Sequence, residues 1–555
     1  MHRTTIRLIL FSITAALMGM GLLVAFVSES QASGALPETA APAAPTQSTA
    51  DHSQFEILQQ DFETGPEVTA ACLTCHTEAA GQIMKTTHWT WEYTDPQTGD
   101  ALGKNNVVNS FCTSIASNEP RCTSCHIGYG YADKTFDFTV ETNVDCLVCH
   151  DTTGQYKKIP NGAGHPVYGD TPVEFPGGSG KMWAPVDLAL VAQNVGHTSR
   201  ETCGACHFYG GGDNGVKHGD LDKSLVAPDH ALDVHMDADG LNFACSTCHM
   251  PEGHAIPGGH YQMTAKDSDG IDILHQSGTL TCENCHGLAP HPADLTSAEA
   301  LNRHVDSIAC QTCHIPAYAR GGYPTKTWWD WSTAGRKDAN GKPYAEYDEN
   351  GWVTYLSEKG NFTWEENVQP EYFWFDGNID YQGMKPFDGN ANLVEVNQIH
   401  GTPGAPDSRI WPFKVMRGKQ PYDTVNLTLA KPHVYGKDDS SYWSNYDWSK
   451  AIPVGMEAAG AEYSGEYGFI ETRMYWPITH MVAPSEEALE CDSCHTRGNG
   501  ILAGVEGVYI PGITHTPLID TIGGYGILLV LAGVFVHSLA RVIGNQIFKQ
   551  KTKGI

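Results

Sequence analysis

CTSCH at Cys122–His126 and CLVCH at Cys146–His150 belong to a set of eight C-x-x-C-H runs that decides how this 555-residue chain is built. In chain order the runs comprise Cys72, Cys75 and His76; Cys122, Cys125 and His126; Cys146, Cys149 and His150; and Cys203, Cys206 and His207. They continue with Cys245, Cys248 and His249; Cys282, Cys285 and His286; Cys310, Cys313 and His314; and Cys491, Cys494 and His495. Two thiols at this spacing can form thioethers to the two vinyl groups of one haem, and the adjacent imidazole then lies under the iron. Eight covalently bound haem c groups are therefore expected. A zinc ribbon needs no obligatory histidine after its C-x-x-C, and a thioredoxin-type motif would occur once within a βαβ unit. Sixteen of the seventeen cysteines are used in this way, which leaves Cys112 as a single free thiol.

Residues 1–32 have a basic start (His2, Arg3, Arg7), an apolar run from Leu8 to Val27, and Ser-Gln-Ala before Ser33, as in a signal peptide or N-terminal anchor. Residues 519–540 are apolar over the length of one membrane-crossing helix, and the segment 541–555 that follows is basic, as expected of a cytoplasmic tail. The haem-bearing body is thus expected on the periplasmic side of the cytoplasmic membrane, held there by its C-terminal helix. A formal net charge of -30 argues against nucleic acid or anionic lipid as a surface partner.

A linker at 33–68, opening on a Pro/Ala/Thr-rich stretch, precedes a haem-binding region at 69–314 that holds seven motifs. The segment 315–490 holds ten of the thirteen tryptophans and no motif, and reads as an aromatic-rich scaffold without sustained helical or strand period. The eighth site occupies 491–514. The expected class is mainly α, with a haem-packed core, long loops and little β structure.

Low-spin haems need a second axial ligand, and histidines placed shortly before a motif could reach a neighbouring haem. His197, His235, His275, His304 and His480 are so placed, and His88 follows the first motif; His165, His254, His260 and His291 compete for the remaining positions. His2, His52 and His537 are poor candidates by position. Catalysis would need an iron with a displaceable ligand, hence a site with unusual polar groups. Cys112 and Asn109, in the stretch before the second motif, and Lys157 and Lys158, after the third, are the candidates.

Taken together, NSFC before CTSCH, CLVCH followed by DTTGQYKK, CGACHFYGGG followed by VKHGD, and CQTCHIP followed by WWDW resemble the octahaem tetrathionate reductase family over residues 69–500. The resemblance implies a mostly helical fold with closely stacked haems, and an active haem with a lysine ligand and a cysteine in its pocket. It maps Cys112 and Asn109 over the haem of Cys122, Cys125 and His126. The stretch expected to carry the lysine, NVGHTSR (Asn194–Arg200), has His197 instead, which leaves Lys157, Lys158 or Lys181 to supply an amine. The family's activity implies reduction of a small anionic sulfur or nitrogen substrate (tetrathionate, nitrite or hydroxylamine). Electrons would come from a membrane quinol-oxidising protein or b-type cytochrome. The alternative is a non-catalytic electron carrier between the quinol pool and another reductase.

Overall fold

The computed structural model describes residues 48–551 except 97, 112, 260, 262, 268–278, 511–513 and 515–516. The N-terminal apolar run, most of the linker, Cys112, His260 and His275 lie outside the described residues.

Each motif folds as a single short turn of helix or at the end of one. Examples are Gly65–Leu73, Leu147–His150, Arg200–His207, Cys282–His286 and Cys310–His314. One turn brings residues three apart onto the same side, which is what two thiols addressing one ligand require. Helices this short are not stable by propensity and are held by caps and tertiary contacts. Ser199 and Thr202 form a reciprocal capping box on the fourth motif's helix, and Thr281 and Asn284 do the same on the sixth.

The segment 315–490 departs from the expectation of little β structure. It contributes the strands of a nine-stranded mixed sheet centred on Arg409–Asp423. That strand pairs antiparallel with Tyr467–Pro477 from Phe413 to Asp423 and parallel with Thr325–Asp330, and Glu371–Phe375 pairs with its first residues. Its sequence, RIWPFKVMRGKQPYD, is buried on both faces over most of its length. A strand covered on both sides has no reason to alternate apolar and polar residues, so the period of two that reveals a surface strand is missing. The tryptophans pack mainly on one another and on other aromatics: Trp329 stacks on Trp331 at 4.8 Å, and Trp331 meets Trp448 edge-on at 6.1 Å.

The sheet is bolted to the haem-binding region through its central strand. Arg409 forms a buried ion pair with Glu283, inside the sixth motif, and the Ile410 carbonyl accepts from Ala309 N (3.0 Å) and from Thr312 Oγ1 (2.7 Å), at the seventh. A separate helix, Pro517–Lys551, carries at Leu518–Lys549 a stretch whose most apolar 18-residue window has mean hydropathy 2.1 and is not buried by the rest of the protein.

Candidate functional site

With a metal–imidazole bond of about 2 Å and a ring radius of roughly 1.2 Å, two imidazoles on opposite sides of one iron have centroids about 6.4 Å apart. Seven of the eight motif histidines face a second histidine at very nearly this distance. His76 faces His52 at 6.3 Å, His150 faces His254 at 6.5 Å, and His207 faces His88 at 6.1 Å. His249 faces His480 at 6.4 Å, His286 faces His235 at 6.0 Å, His314 faces His291 at 6.5 Å, and His495 faces His304 at 6.0 Å. Several of these rings are oriented by an acceptor at Nδ1, which leaves Nε2 toward the partner. Acceptors include the carbonyls of Gly196 for His150 (2.7 Å) and Pro257 for His249 (2.9 Å), and the side-chain oxygens of Gln82 for His254 and Asn302 for His291. The spaces between these rings fit haem irons.

His52, set aside by its position in the sequence, is therefore one of the paired rings. His197 is exposed, and among the described residues no motif ring lies against it. His165 stacks on Tyr129 at 5.5 Å and shares a hydrogen bond with the Tyr168 hydroxyl rather than meeting a motif histidine.

The second motif differs. His126 is fully buried, and its Nε2 lies 2.6 Å from the Trp89 carbonyl. Its ring is enclosed by Trp91 (5.1 Å), Trp89 and Tyr131 (both 5.2 Å) and Phe136 (5.5 Å), with no second histidine ring against it among the described residues. Gly128 closes the cage: a Cβ there would come within 2.9 Å of the His126 ring, so any larger residue would displace it. Burial pushes the imidazole down to about 3, so it is neutral, and the Nε2 expected for an iron is engaged with a backbone carbonyl. The helix Thr87–Thr90 serves two sites at once, presenting His88 to His207 and Trp89 to His126.

Near the second motif lies a lysine that the sequence reading passed over. Lys217, in VKHGD, is half-buried with its Nζ 4.6 Å from the Trp476 ring centroid. Burial pushes its ammonium down to about 7, the charge of Lys104 adds to that, and the Cys125 sulfur opposes it. Its backbone is clamped by the sheet: Lys414, fully buried on the central strand, donates to the carbonyls of Val216 (2.8 Å) and Lys217 (3.1 Å). The same strand holds the loop before the second motif, with Gln420 Nε2 donating to the Asn109 carbonyl at 2.9 Å. Phe111 lies 6.0 Å from Trp476, so this loop, Lys217 and the sheet converge. In sequence, Lys217 carried no signal beyond its place in VKHGD; its burial is what sets it apart.

The other candidates are placed as follows. Asn109 turns its side chain onto its own loop, accepting from Phe111 N at 2.8 Å. Lys157 is exposed. Lys158 is buried in an ion pair with Asp145 at 2.9 Å and donates to the His126 carbonyl. Asp145 is further held by the hydroxyls of Tyr129 (2.7 Å) and Tyr156 (2.8 Å). Lys181 lies over the Trp183 ring at 4.9 Å.

The motif cysteines also define an order in space. Cys72 lies beside Cys146, Cys125 beside Cys206, Cys203 beside Cys245, and Cys282 beside Cys310. Cys149 interacts with Cys203, Cys248 with Cys285, and Cys313 with Cys494. The sites thus run first, third, fourth, fifth, sixth, seventh, eighth, and the second joins at the fourth.

A branched row of C-x-x-C-H sites with paired histidines defines a multihaem c-type cytochrome. Comparisons with known proteins agree. The family model "Cytochrome c bacterial" matches residues 326–498, and "Cytochrome c554 and c-prime" matches residues 71–151. The crystal structure of octaheme cytochrome c from Shewanella oneidensis is 44% identical, covers 84% of this chain and 100% of its own, and superposes with a TM-score of 0.71. An uncharacterized protein of Archaeoglobus fulgidus is 22% identical over 261 residues, which is 40% of this chain and 86% of that protein. The chain belongs to the octahaem cytochrome c family.

Proposed function

We propose that the protein is a periplasmic, membrane-anchored octahaem reductase acting on a small sulfur or nitrogen substrate (tetrathionate, nitrite or hydroxylamine) at the site of the second motif. The observation that carries this reading is the exception at His126. Seven motif histidines have an imidazole partner at iron-bridging distance, and His126 instead has its Nε2 on a carbonyl inside an aromatic cage.

In this reading the sixteen motif cysteines would hold eight haem c groups, and the seven histidine pairs would supply the nitrogen ligands at every site but the second. Haem there would supply one-electron chemistry at an iron with an exchangeable position. The chain's own contribution is the environment. Lys217, desolvated beside Trp476, offers a neutral amine as the ligand that His126 does not provide. Lys104 and Lys158 place positive charge near Cys125, which favours an incoming anion and offsets negative charge that develops as electrons arrive. The Asp145 carboxylate and the two tyrosines keep Lys158 in place. For tetrathionate the balance is simple: two electrons enter, the central S–S bond breaks, and two thiosulfate ions leave.

The anchor would be the Pro517–Lys551 helix, which is apolar and unburied and carries basic residues, Arg541, Lys549 and Lys551, toward its end. It would keep the eighth site close to a membrane quinol-oxidising or b-type cytochrome donor. Cyanide or nitrite added to the ferric protein should bind one haem of the eight and perturb its spectrum. If no haem binds either ligand, every iron is closed, and the protein is an electron carrier serving another reductase.

A further inference from the structure

Three residues after Lys217, Asp220 is 1% exposed, and its Oδ2 accepts three hydrogen bonds from one short segment. The donors are the backbone N–H groups of Thr479 (2.9 Å) and His480 (3.0 Å) and the Nδ1–H of His480 (3.1 Å). Thr479 Oγ1 also lies 3.1 Å from that Nδ1. His480 is the ring that faces His249 of the fifth motif. The Nδ1 atoms of the other paired rings with a described partner face neutral oxygens, on Ala50, Gln82, Gly196, Pro257 and Asn302. Among these, His480 alone faces a carboxylate.

We propose that Asp220 is a positioning residue that lowers the reduction potential of the haem at the fifth motif; this rests on the axial pairing proposed above. A carboxylate that accepts from a ligand imidazole makes that ligand more basic, and a buried negative charge near the iron favours its ferric state. Both effects act in the same direction. The order of the cysteines puts the fifth site between two groups, the fourth with its branch to the second on one side and the sixth to eighth on the other. A low-potential haem at this point is an uphill crossing in both directions. Electrons that have reached the fourth and second sites are then kept from draining back toward the eighth.

The test uses the full-length protein carrying its haems. Potentiometric titration followed by the EPR signals of the low-spin ferric haems should show one couple displaced upward in Asp220→Asn. The expected change is at least about tenfold in the oxidised-to-reduced ratio at fixed potential, which for one electron is 59 mV. Asparagine retains an acceptor for the two backbone N–H groups and removes the charge. Asp233→Asn is the matched control: Asp233 is equally buried and accepts from Met481 N (3.0 Å) and Val482 N (3.2 Å) but from no ring nitrogen of His480. It should move the same couple less. No displacement in Asp220→Asn, or an equal one in the control, overturns the inference.

His480→Ala should convert one low-spin haem to high spin, which identifies the couple. In the wild type that couple should lie below the median of the low-spin set, a comparison that needs no Asp220 variant, and a position above the median also overturns the inference. If His480→Ala converts no haem, the pairing itself is wrong and the inference falls with it. If it converts one while Asp220→Asn moves nothing, the inference alone fails.

Discussion

Replacing Lys217 by methionine removes the half-buried amine beside Trp476 while keeping a flexible apolar side chain of similar length. Burial lowers the ammonium from 10.5 to about 7. At about 1.36 kcal/mol for each factor of ten, the fall from 10.5 to about 7 spares roughly 5 kcal/mol of the cost of presenting a neutral amine at pH 7. The sign follows directly. A lowered lysine pKa favours the neutral, ligating form above about 7, and each unit of acidification below it cuts that form about tenfold. Binding to an iron competes with the proton, so the ferric protein should show a transition at the second haem with a midpoint at or below about 7. EPR and visible spectra recorded from pH 5 to 9 would detect it. In Lys217→Met the haem content by mass should stay at eight, the transition should vanish, and the acid-form signal should persist at all pH values. Lys217→Arg, permanently charged, should behave like the methionine variant rather than like wild type. A pH transition that survives unchanged in Lys217→Met would refute the assignment of this amine to the second haem.

Lys158→Met leaves Asp145 buried but still holding two tyrosine hydroxyls, so we expect a loss of about 3 kcal/mol, at the low end for breaking a buried pair. Denaturant unfolding should show it, and adding Asp145→Asn should recover most of it; an unaffected midpoint would mean that the ion pair contributes nothing. Deleting residues from Ile519 onward should move the haem-bearing body from the membrane fraction to the soluble one, and retention in membranes would place the anchor at the N-terminal apolar run. Cys112→Ala should preserve eight haems and the redox titration while lowering turnover of tetrathionate, nitrite or hydroxylamine with a reduced dye. The size is set by positioning and is on the order of a hundredfold. Unchanged turnover would make that thiol a packing residue.

How much was legible in the sequence depended on how local each requirement is. Thioether attachment is a covalent demand met within five consecutive residues, so all eight haem sites stood open in the primary structure. A membrane-crossing length of apolar residues is equally local, and Leu518–Lys549 forms the apolar helix expected from composition. The histidine pairs are not local. His254 reaches back to His150, His480 to His249, and His52, in what looked like a linker, to His76. Position just before a motif marks His480, but nothing in the residues flanking His52 or His254 distinguishes them from other histidines, because only the fold decides which rings stand about 6 Å apart. The sheet escaped notice because its central strand is covered on both faces, which erases the alternation that marks a strand. The second site was half visible. Its motif looks like the other seven, and only tertiary packing turns His126 into a cage of aromatics, lays Lys217 over Trp476 and uses Lys414 from a distant strand to hold it there. Desolvation and ring orientation are properties of the assembled structure, so the residues that make one site unlike its neighbours could be assigned only once the chain was folded.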